Sequence, residues 1–338
     1  MGVTWASGQG FWLRIIVFIG FALGIAAFIA LLLYHGAGDI FDAVGAAGWG
    51  LLAVSAFHLL PLAVDAHAWR ILIPAPHRRP GLLLSCRLRW ILESVNGLLP
   101  AAQVGGEFVR ARLASFHGMP LSVGGAAATV DVTLAAVTQA LFALVGIGGL
   151  AAHVADADDG LLLALSCGLA AFAALIWLFC WFQKAGPGRI VAGLVRRVSR
   201  RRSSSGPSGG ELDQAINQIY AQRKVLAFAF VWRWIGWVVG AGEIWIALWA
   251  LGSPVTVWDA IILESLLQLV RGVAFIVPAA LGVQEGALLG LGIAFGLAPE
   301  TGLALSLVRR VRDLSLGIPG LVAWQLSEGF SAGWRRRR

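Results

Sequence analysis

The residues of this sequence that could do chemistry are acids and arginines inside long apolar segments. Glu107 and Glu285 each follow a proline, Pro100 or Pro278, by seven residues. A charged side chain at the centre of a membrane helix costs about 2.5–3.5 kcal/mol on insertion scales, so such residues are normally paired or in contact with water. We predict that both glutamates line a polar cavity and pair with cations. The alternative is that each is a hydrated carboxylate holding a hairpin tip at the membrane interface.

A second set of candidates consists of arginines in or beside the apolar segments of the C-terminal half. They are Arg271, Arg309, Arg310 and Arg312. A guanidinium fork can donate two parallel hydrogen bonds to a phosphate or a carboxylate. Two interpretations stay open. The arginines bind the anionic headgroup of a lipid, or they neutralise Glu264, Glu285 and Asp313 in a structural ion network.

The candidate substrate-binding residues combine these acids and arginines with their neighbours. They are Glu93, Glu107, Arg110, Arg271, Glu285, Arg309 and Arg312. For the two repeated glutamates, Arg110 and Arg271 are the expected cationic partners. No nucleophile elbow, phosphate loop or HExxH motif is present, so we expect no catalytic residues and no enzyme activity. His58 and His67 stand nine residues apart without a ligand cluster around them, so we expect no metal and no cofactor.

The composition is that of a membrane protein. Of 338 residues, 58% are hydrophobic and 13% are charged, whereas soluble domains carry about 25% charged residues. The net charge of +8 could suggest nucleic acid. The basic residues, however, stand mostly in short clusters between apolar runs, where they act as topology signals. We therefore predict an all-α polytopic membrane protein whose partners are membrane lipids and not nucleic acid.

Hydropathy predicts about six spanning helices, because a span needs about 20 apolar residues. They are 11–33, 48–72, 121–150, 161–182, 225–251 and 301–325. Two further apolar regions, 82–115 and 258–295, are interrupted by Pro100 and Pro278 and contain ionisable residues. Broken backbone at membrane depth is tolerated only inside protein or beside water, so we predict two re-entrant hairpins.

The lysines and arginines between the spans predict the orientation. Loops 34–47 and 151–160 contain aspartates but no Lys or Arg, so both should face outward. The basic segments 77–79, 183–224 and 335–338 should face the cytoplasm. Six spans with both termini inside satisfy these constraints. We expect a multi-pass protein of the bacterial cytoplasmic (inner) membrane, with a cytoplasmic linker over 183–224.

An internal repeat relates 48–150 to 226–328 at an offset of 178 residues within one membrane domain, 1–338. The matched pairs include Glu107 with Glu285, Glu93 with Arg271, and Asp65 with Glu243. Short matches of Ala and Gly arise by chance, but ionisable residues are rare inside spans. Under the predicted topology the two copies are inverted, an arrangement that transporters use around a midplane substrate site.

Two packing predictions accompany the repeat. Gly282, Gly286 and Gly290 recur every four residues, which is typical of close helix packing. Asp131 matches Arg309 at the same offset, so an ion pair across the two copies is conceivable.

The stretches GGEFVRA at 105–111 and PAALGVQEGA at 278–287 resemble the flippase-like transmembrane domain of the lysylphosphatidylglycerol synthase family. The stretches SLVRRVRD at 306–313 and GIPG at 317–320 resemble the subgroup associated with hopanoid biosynthesis. The resemblance implies a lipid-handling membrane protein with two re-entrant hairpins. Bifunctional members carry an extra soluble aminoacyl-transfer domain. Only about 13 residues follow the last predicted span here, so synthase activity is not expected.

The sequence therefore predicts a lipid translocase or lipid-binding transporter component. It would move an amphiphile, such as a phospholipid, an isoprenoid or a hopanoid-related lipid, through a cavity between two hairpins. The alternatives are an integral membrane enzyme or a scaffold in hopanoid biosynthesis, and a purely structural membrane protein. Lipid-synthesising enzymes are possible partners.

Overall fold

The protein is all-α in a computed structural model that describes residues 45, 47–99, 105–153, 159–184, 209–274, 277 and 280–335. No strand occurs in this part of the chain. The helices are α1 Trp49–Phe57, α2 Leu59–Ile71, α3 Leu82–Leu98, α4 Gly105–Ser115, α5 Leu121–His153, α6 Asp159–Lys184, α7 Gly209–Ala221, α8 Arg223–Ala250, α9 Val257–Val273, α10 Val283–Ala294 and α11 Pro299–Arg335.

Among the described residues, three helical segments are long and apolar enough to cross a membrane. They are Trp49–Ile71, which joins α1 and α2, Leu121–Ala152 in α5, and Arg223–Ala250, which is α8. Three of the six predicted spans are thereby confirmed, and the chain is a polytopic membrane protein. The spans predicted at 161–182 and 301–325 fall within α6 and α11. The span predicted at 11–33 lies outside the described residues.

Helices α2 and α8 pack against each other in antiparallel directions. A Cβ built on Gly242 would lie 2.6 Å from Cζ of Phe57, and one built on Gly236 would lie 2.7 Å from Oδ1 of Asp65. The earlier residue of α8 thus meets the later residue of the α1–α2 segment. Because these two helices correspond to each other at the 178-residue offset, the corresponding spans run in opposite directions.

Two helix–break–helix units follow the corresponding spans. Helices α4 and α10 begin at Gly105 and Val283, and α5 and α11 begin at Leu121 and Pro299. Each of these pairs of starting residues is separated by 178 positions, the offset of the sequence repeat. The helix boundaries therefore agree with the repeat, which stays an interpretation of the sequence.

The prolines that suggested the breaks, Pro100 and Pro278, lie outside the described residues, so the re-entrant geometry of the hairpins stays a prediction. After the breaks, α4 and α10 each lead into a glycine with positive φ, Gly118 at 85° and Gly296 at 72°. Glycine adopts this conformation without steric cost, which allows the sharp turn into the next long helix.

The two halves exchange contacts reciprocally. Helix α3 packs on α11, where Nε1 of Trp90 donates to the carbonyl oxygen of Leu316 at 2.7 Å. Helix α9 packs on α5, where Nε2 of Gln139 donates to the carbonyl oxygen of Gln268 at 2.6 Å. Each helix–break–helix unit thus packs against the last long helix of the other half. The charged residues described below lie where these helices meet.

The predicted linker 183–224 contains a helix that the sequence analysis did not anticipate. Helix α7 packs along α5 and buries Ala215, Ile216 and Ile219. These residues are spaced one, three and four apart, so they form one apolar helix face. Part of the expected linker is therefore docked on the helical bundle.

The prediction of close packing along the repeated glycines is wrong for two of them. Gly286 and Gly290 are exposed, and a Cβ on either would meet no atom of the described residues within 4 Å. Gly282 has a φ of 76° and precedes the first turn of α10. The tight contact in this region is instead at Gly302, where a Cβ would lie 2.8 Å from the carbonyl oxygen of Leu288.

Candidate functional site

A first ion network connects α2, α3, α4, α5 and α8. It consists of Asp65, Arg89, Glu93, Glu107, Arg110, Asp131 and Arg233. Arg233 joins Asp65 at 2.8 Å to Asp131 at 2.7 Å. Arg110 contacts the other carboxylate oxygen of Asp131 at 2.9 Å. Asp131 and Arg110 have no exposed surface, and pairing is how a protein holds such charges away from water.

Glu107 enters this network through Arg110. The two side chains approach to 2.5 Å, so Glu107 contacts one of its two expected partners. Arg110 also lies over the ring of the buried Trp69, 4.6 Å from its centroid, in cation–π geometry. Glu107 is the third residue of α4, where the positive end of the helix dipole favours a carboxylate.

Glu285 occupies the same position in α10 and is fully buried. One carboxylate oxygen accepts from the backbone N–H of Gly282 at 2.7 Å and so caps the helix. The other accepts from Arg310 at 2.9 Å. The cationic partner of Glu285 is therefore Arg310 and not Arg271.

A second ion network joins α3, α8, α9 and α11 around the junction of α1 and α2. It consists of His58, Glu93, Glu243, Glu264, Arg309, Arg312 and Asp313. Arg309 contacts Glu264 at 2.6 Å. Arg312 contacts Glu243 and, at 2.5 Å, Asp313. For these arginines the structural ion network is the observed arrangement.

The conceivable pair between the two copies, Asp131 with Arg309, does not form. Asp131 contacts Arg110 and Arg233, and Arg309 contacts Glu264 on the neighbouring helix α9. Asp131 and Arg309 thus each form ion pairs with other residues of opposite charge. Corresponding positions in the sequence are therefore not partners here.

Arg271 differs from the other candidate arginines. Its guanidinium forms no ion pair with a carboxylate in the part of the chain that the structure describes. Its electrostatic neighbours include Arg309, Arg312 and Asp313, and Arg312 already holds Asp313. Arg271 is thus a half-buried cation that shares the acid Asp313 with Arg312. An added anion would be stabilised in this setting.

A small cleft opens between the α1–α2 junction, α3 and α11. Its lining includes His58, Glu93, Leu98, Arg312, Asp313 and Leu316. Two of the predicted site residues, Glu93 and Arg312, thus line this cleft. Glu107, Arg110, Arg271, Glu285 and Arg309 do not line it, and that they share a cavity stays a prediction. The cleft combines charged side chains with apolar ones at the interface of the two halves.

The family follows from comparison with known proteins. The family model described as the lysylphosphatidylglycerol synthase TM region matches residues 15–320. The chain belongs to this family. A relative described as a UPF0104 membrane protein, from Methanothermobacter thermautotrophicus (strain Delta H), is 25% identical over 315 residues. The aligned part covers 87% of this chain and 88% of the relative. No solved structure matches the chain.

Membership of the lysylphosphatidylglycerol synthase TM family confirms the resemblance seen at 105–111 and 278–287. Both of those stretches lie within the matched range.

In this family member the sequence analysis missed three residues of the two networks: His58, Arg89 and Arg233. Arg233 lies inside the predicted span 225–251, and His58 lies inside 48–72. Ionisable residues within spans are functional or paired by default. Applying that rule to every span, and not only to the broken segments, would have found two of the three.

Pro61 explains why His58 lies at the junction of α1 and α2. Pro61 has no N–H to donate to the carbonyl oxygen of Phe57, and its ring crowds that turn, so the helix is interrupted between α1 and α2. The ring of His58 lies between Glu243 and Glu93. Arg312 lies beside them, and its positive charge opposes a metal cation. Within the described residues no group of three or more His, Cys, Asp or Glu side chains could hold a metal ion.

Proposed function

We propose that the protein is a lipid translocase that receives the headgroup of an amphiphilic lipid in the cleft between α1–α2, α3 and α11. The observation that carries the proposal is the mixed lining of this cleft. Charged side chains line it together with the apolar Leu98 and Leu316. A headgroup needs charge or hydrogen bonds, whereas its acyl or isoprenoid tail remains in hydrocarbon.

Arg271 suggests that the headgroup carries a phosphate. Arg312 and Asp313, which line the cleft, are its electrostatic neighbours. The Nε atoms of Arg309 and Arg312 have no hydrogen-bond partner among the described residues. Guanidinium groups bind phosphate oxygens well in two-point fashion. Phospholipids and isoprenoid phosphates meet this requirement, and the resemblance at 306–313 adds hopanoid-related lipids to the lipids to be tried.

The arrangement of the helices supports movement across the membrane. Corresponding spans run antiparallel, and each broken unit packs on the long helix of the other half. In transporters, inverted halves rock about a midplane site and expose it to either side in turn. We propose the same for this protein, without catalysis, in the bacterial cytoplasmic membrane and with both termini inside. Lipid-synthesising enzymes would be its partners.

The proposal is tested with purified protein in vesicles of phosphatidylcholine and phosphatidylglycerol that contain fluorescent phosphatidylglycerol in both leaflets. A membrane-impermeant reductant bleaches only the outer leaflet. With the wild-type protein, fluorescence from the inner leaflet should also be lost, whereas protein-free vesicles should retain about half. Folded wild-type protein that leaves half of the signal, with phosphatidylglycerol and with isoprenoid phosphate, would contradict translocation and favour a scaffold or enzyme.

Arg271→Gln is the matched site variant. We expect the rate of lipid movement to fall by about tenfold or more, because hydrogen bonds to charged groups contribute about 1.5–3 kcal/mol. The control is Arg112→Gln, which removes an arginine whose side chain is 58% exposed and paired with Glu328. The control should move lipid at the wild-type rate. Equal rates for the two variants would exclude Arg271 from headgroup binding.

A further inference from the structure

The imidazole of His58 contacts a carboxylate with each of its nitrogens. Nδ1 lies 2.7 Å from Oε1 of Glu243, and Nε2 lies 3.1 Å from Oε2 of Glu93. An ionised carboxylate only accepts hydrogen bonds, and a neutral imidazole has only one N–H. Both contacts are hydrogen bonds at the same time only when the ring carries a proton on each nitrogen. The geometry around His58 is thus a binding site for a proton.

The same site also has a partner for the ring after a proton has left. Nη1 of Arg312 lies 2.9 Å from Nδ1 of His58 and also contacts Glu243. A guanidinium can donate but not accept, so its contact with Nδ1 becomes a hydrogen bond only when Nδ1 is unprotonated. Deprotonation at Nδ1 therefore exchanges the hydrogen bond with Glu243 for one from Arg312, and Glu243 keeps its contact with Arg312 through Oε2.

The charged groups around His58 come from every helix that reaches its ring. They are Glu93 from α3, Glu243 from α8, and Arg312 and Asp313 from α11. Arg89 holds the other oxygen of Glu93 at 2.7 Å. Glu93 belongs to the first repeat and Glu243 to the second. A protonated His58 therefore joins the two halves through Glu93 and Glu243. When Nδ1 loses its proton, the hydrogen bond to Glu243 is lost.

The site is accessible from the cleft. His58, Glu93 and Arg312 all line it, and the side chains of His58 and Glu93 are 19% and 27% exposed. A proton can thus pass between the ring and water in the cleft. A lipid phosphate entering the cleft would meet the same groups.

We propose that His58 is the proton-binding site of this cleft and that proton binding is coupled to the passage of lipid. The coupling rests on the translocase function proposed above. The protonated ring holds Glu93 and Glu243 together and keeps the halves joined. Transfer of the Nδ1 proton to water replaces the hydrogen bond to Glu243 on α8 with one from Arg312 on α11, so the contact between the halves is rearranged. The driving ion of the translocase is accordingly H⁺.

The proton site is tested without any transport measurement, by ¹⁵N NMR of histidine-labelled wild-type protein in detergent between pH 5 and pH 10. We expect the His58 signals to show two protonated nitrogens at acidic pH. On raising the pH, Nδ1 should lose its proton and Nε2 should keep it. A neutral form protonated at Nδ1, or no titration in this range, would overturn the proposal.

The signals are assigned by their loss in His58→Gln and by their shift in Glu243→Gln, so the assignment does not depend on one variant. His67→Gln provides the control. His67 lies on the same span, 4.7 Å from the ring of Trp232, with no carboxylate contact in the part of the chain described. Its substitution should leave the His58 titration unchanged.

The coupling of proton binding to lipid movement is then measured in vesicles. The rate of lipid movement is recorded while the pH of the solution in contact with the cleft is varied. The wild type and His67→Gln should show the same pH dependence, and His58→Gln should show none. A wild-type rate that does not change with pH would contradict the coupling while leaving translocation intact. No lipid movement by the wild type would instead overturn the translocase function, and the NMR result would still decide whether the proton site exists.

Discussion

Gly236 on α8 lies directly against the carboxylate of Asp65 on α2. A Cβ at this glycine would stand 2.7 Å from Oδ1 of Asp65, closer than van der Waals contact allows. The missing side chain is what lets Asp65 lie between Arg89 and Arg233. Close packing of the two corresponding spans and pairing of the buried charges thus depend on the same position.

We predict that Gly236→Ala destabilises the protein by about 1–3 kcal/mol, the usual effect of overpacking. The added methyl group would displace Asp65 from Arg233. The measurement is thermal unfolding in detergent. Gly240→Ala is the matched control on the same helix, because a Cβ there meets no atom of the described residues within 4 Å. Equal unfolding temperatures for the two variants would contradict the packing argument.

Asp131→Asn should destabilise the protein by about 3–5 kcal/mol, the typical effect of removing one partner from a buried ion pair. Asp131 is fully buried and neutralises both Arg110 and Arg233, so its loss leaves two arginines short of negative charge. Glu328→Gln, which breaks the exposed pair with Arg112, should change stability by less than about 1 kcal/mol. Unfolding in denaturant compares the two, and a small effect of Asp131→Asn would show that the network is not structural.

Glu285→Gln should lower the yield of folded protein, the unfolding temperature and lipid movement together. The carboxylate caps α10 at Gly282 and neutralises Arg310, and an amide cannot do the latter. A variant that folds and unfolds like the wild type but fails to move lipid would instead place Glu285 in transport. Glu300→Gln is the control: it is also an acid in the first turn of its helix and forms no ion pair within the described residues.

Cysteine labelling in intact cells tests the orientation. In a variant without Cys86, Cys167 and Cys180, a membrane-impermeant maleimide should not label Ser205→Cys, because the basic segment 183–224 is expected inside. The same reagent should label Gly38→Cys in the loop 34–47, which contains no Lys or Arg. Labelling of Ser205→Cys from outside would reverse the predicted topology.

The helices and the family were predicted from the sequence more successfully than the ion-pair partners of the charged residues. The apolar spans at 48–72, 121–150 and 225–251 are confirmed, because the length of an apolar run directly reflects the thickness of the bilayer. Both repeated glutamates are paired with arginines, and the partner of Glu285 is Arg310 and not Arg271. Which arginine is nearest depends on helix rotation and packing, and a single sequence contains no information on either.

By itself the sequence determined that this is an all-α membrane protein of the lysylphosphatidylglycerol synthase TM family. The long apolar runs indicate the membrane helices, and the stretches at 105–111 and 278–287 carry the resemblance to the family. Only the tertiary structure decided that His58 lies between Glu93 and Glu243. Those residues are on three separate helical segments, and hydrogen bonds act over about 3 Å. The chemistry of the cleft therefore depends on how the helices pack, which the order of residues does not reveal.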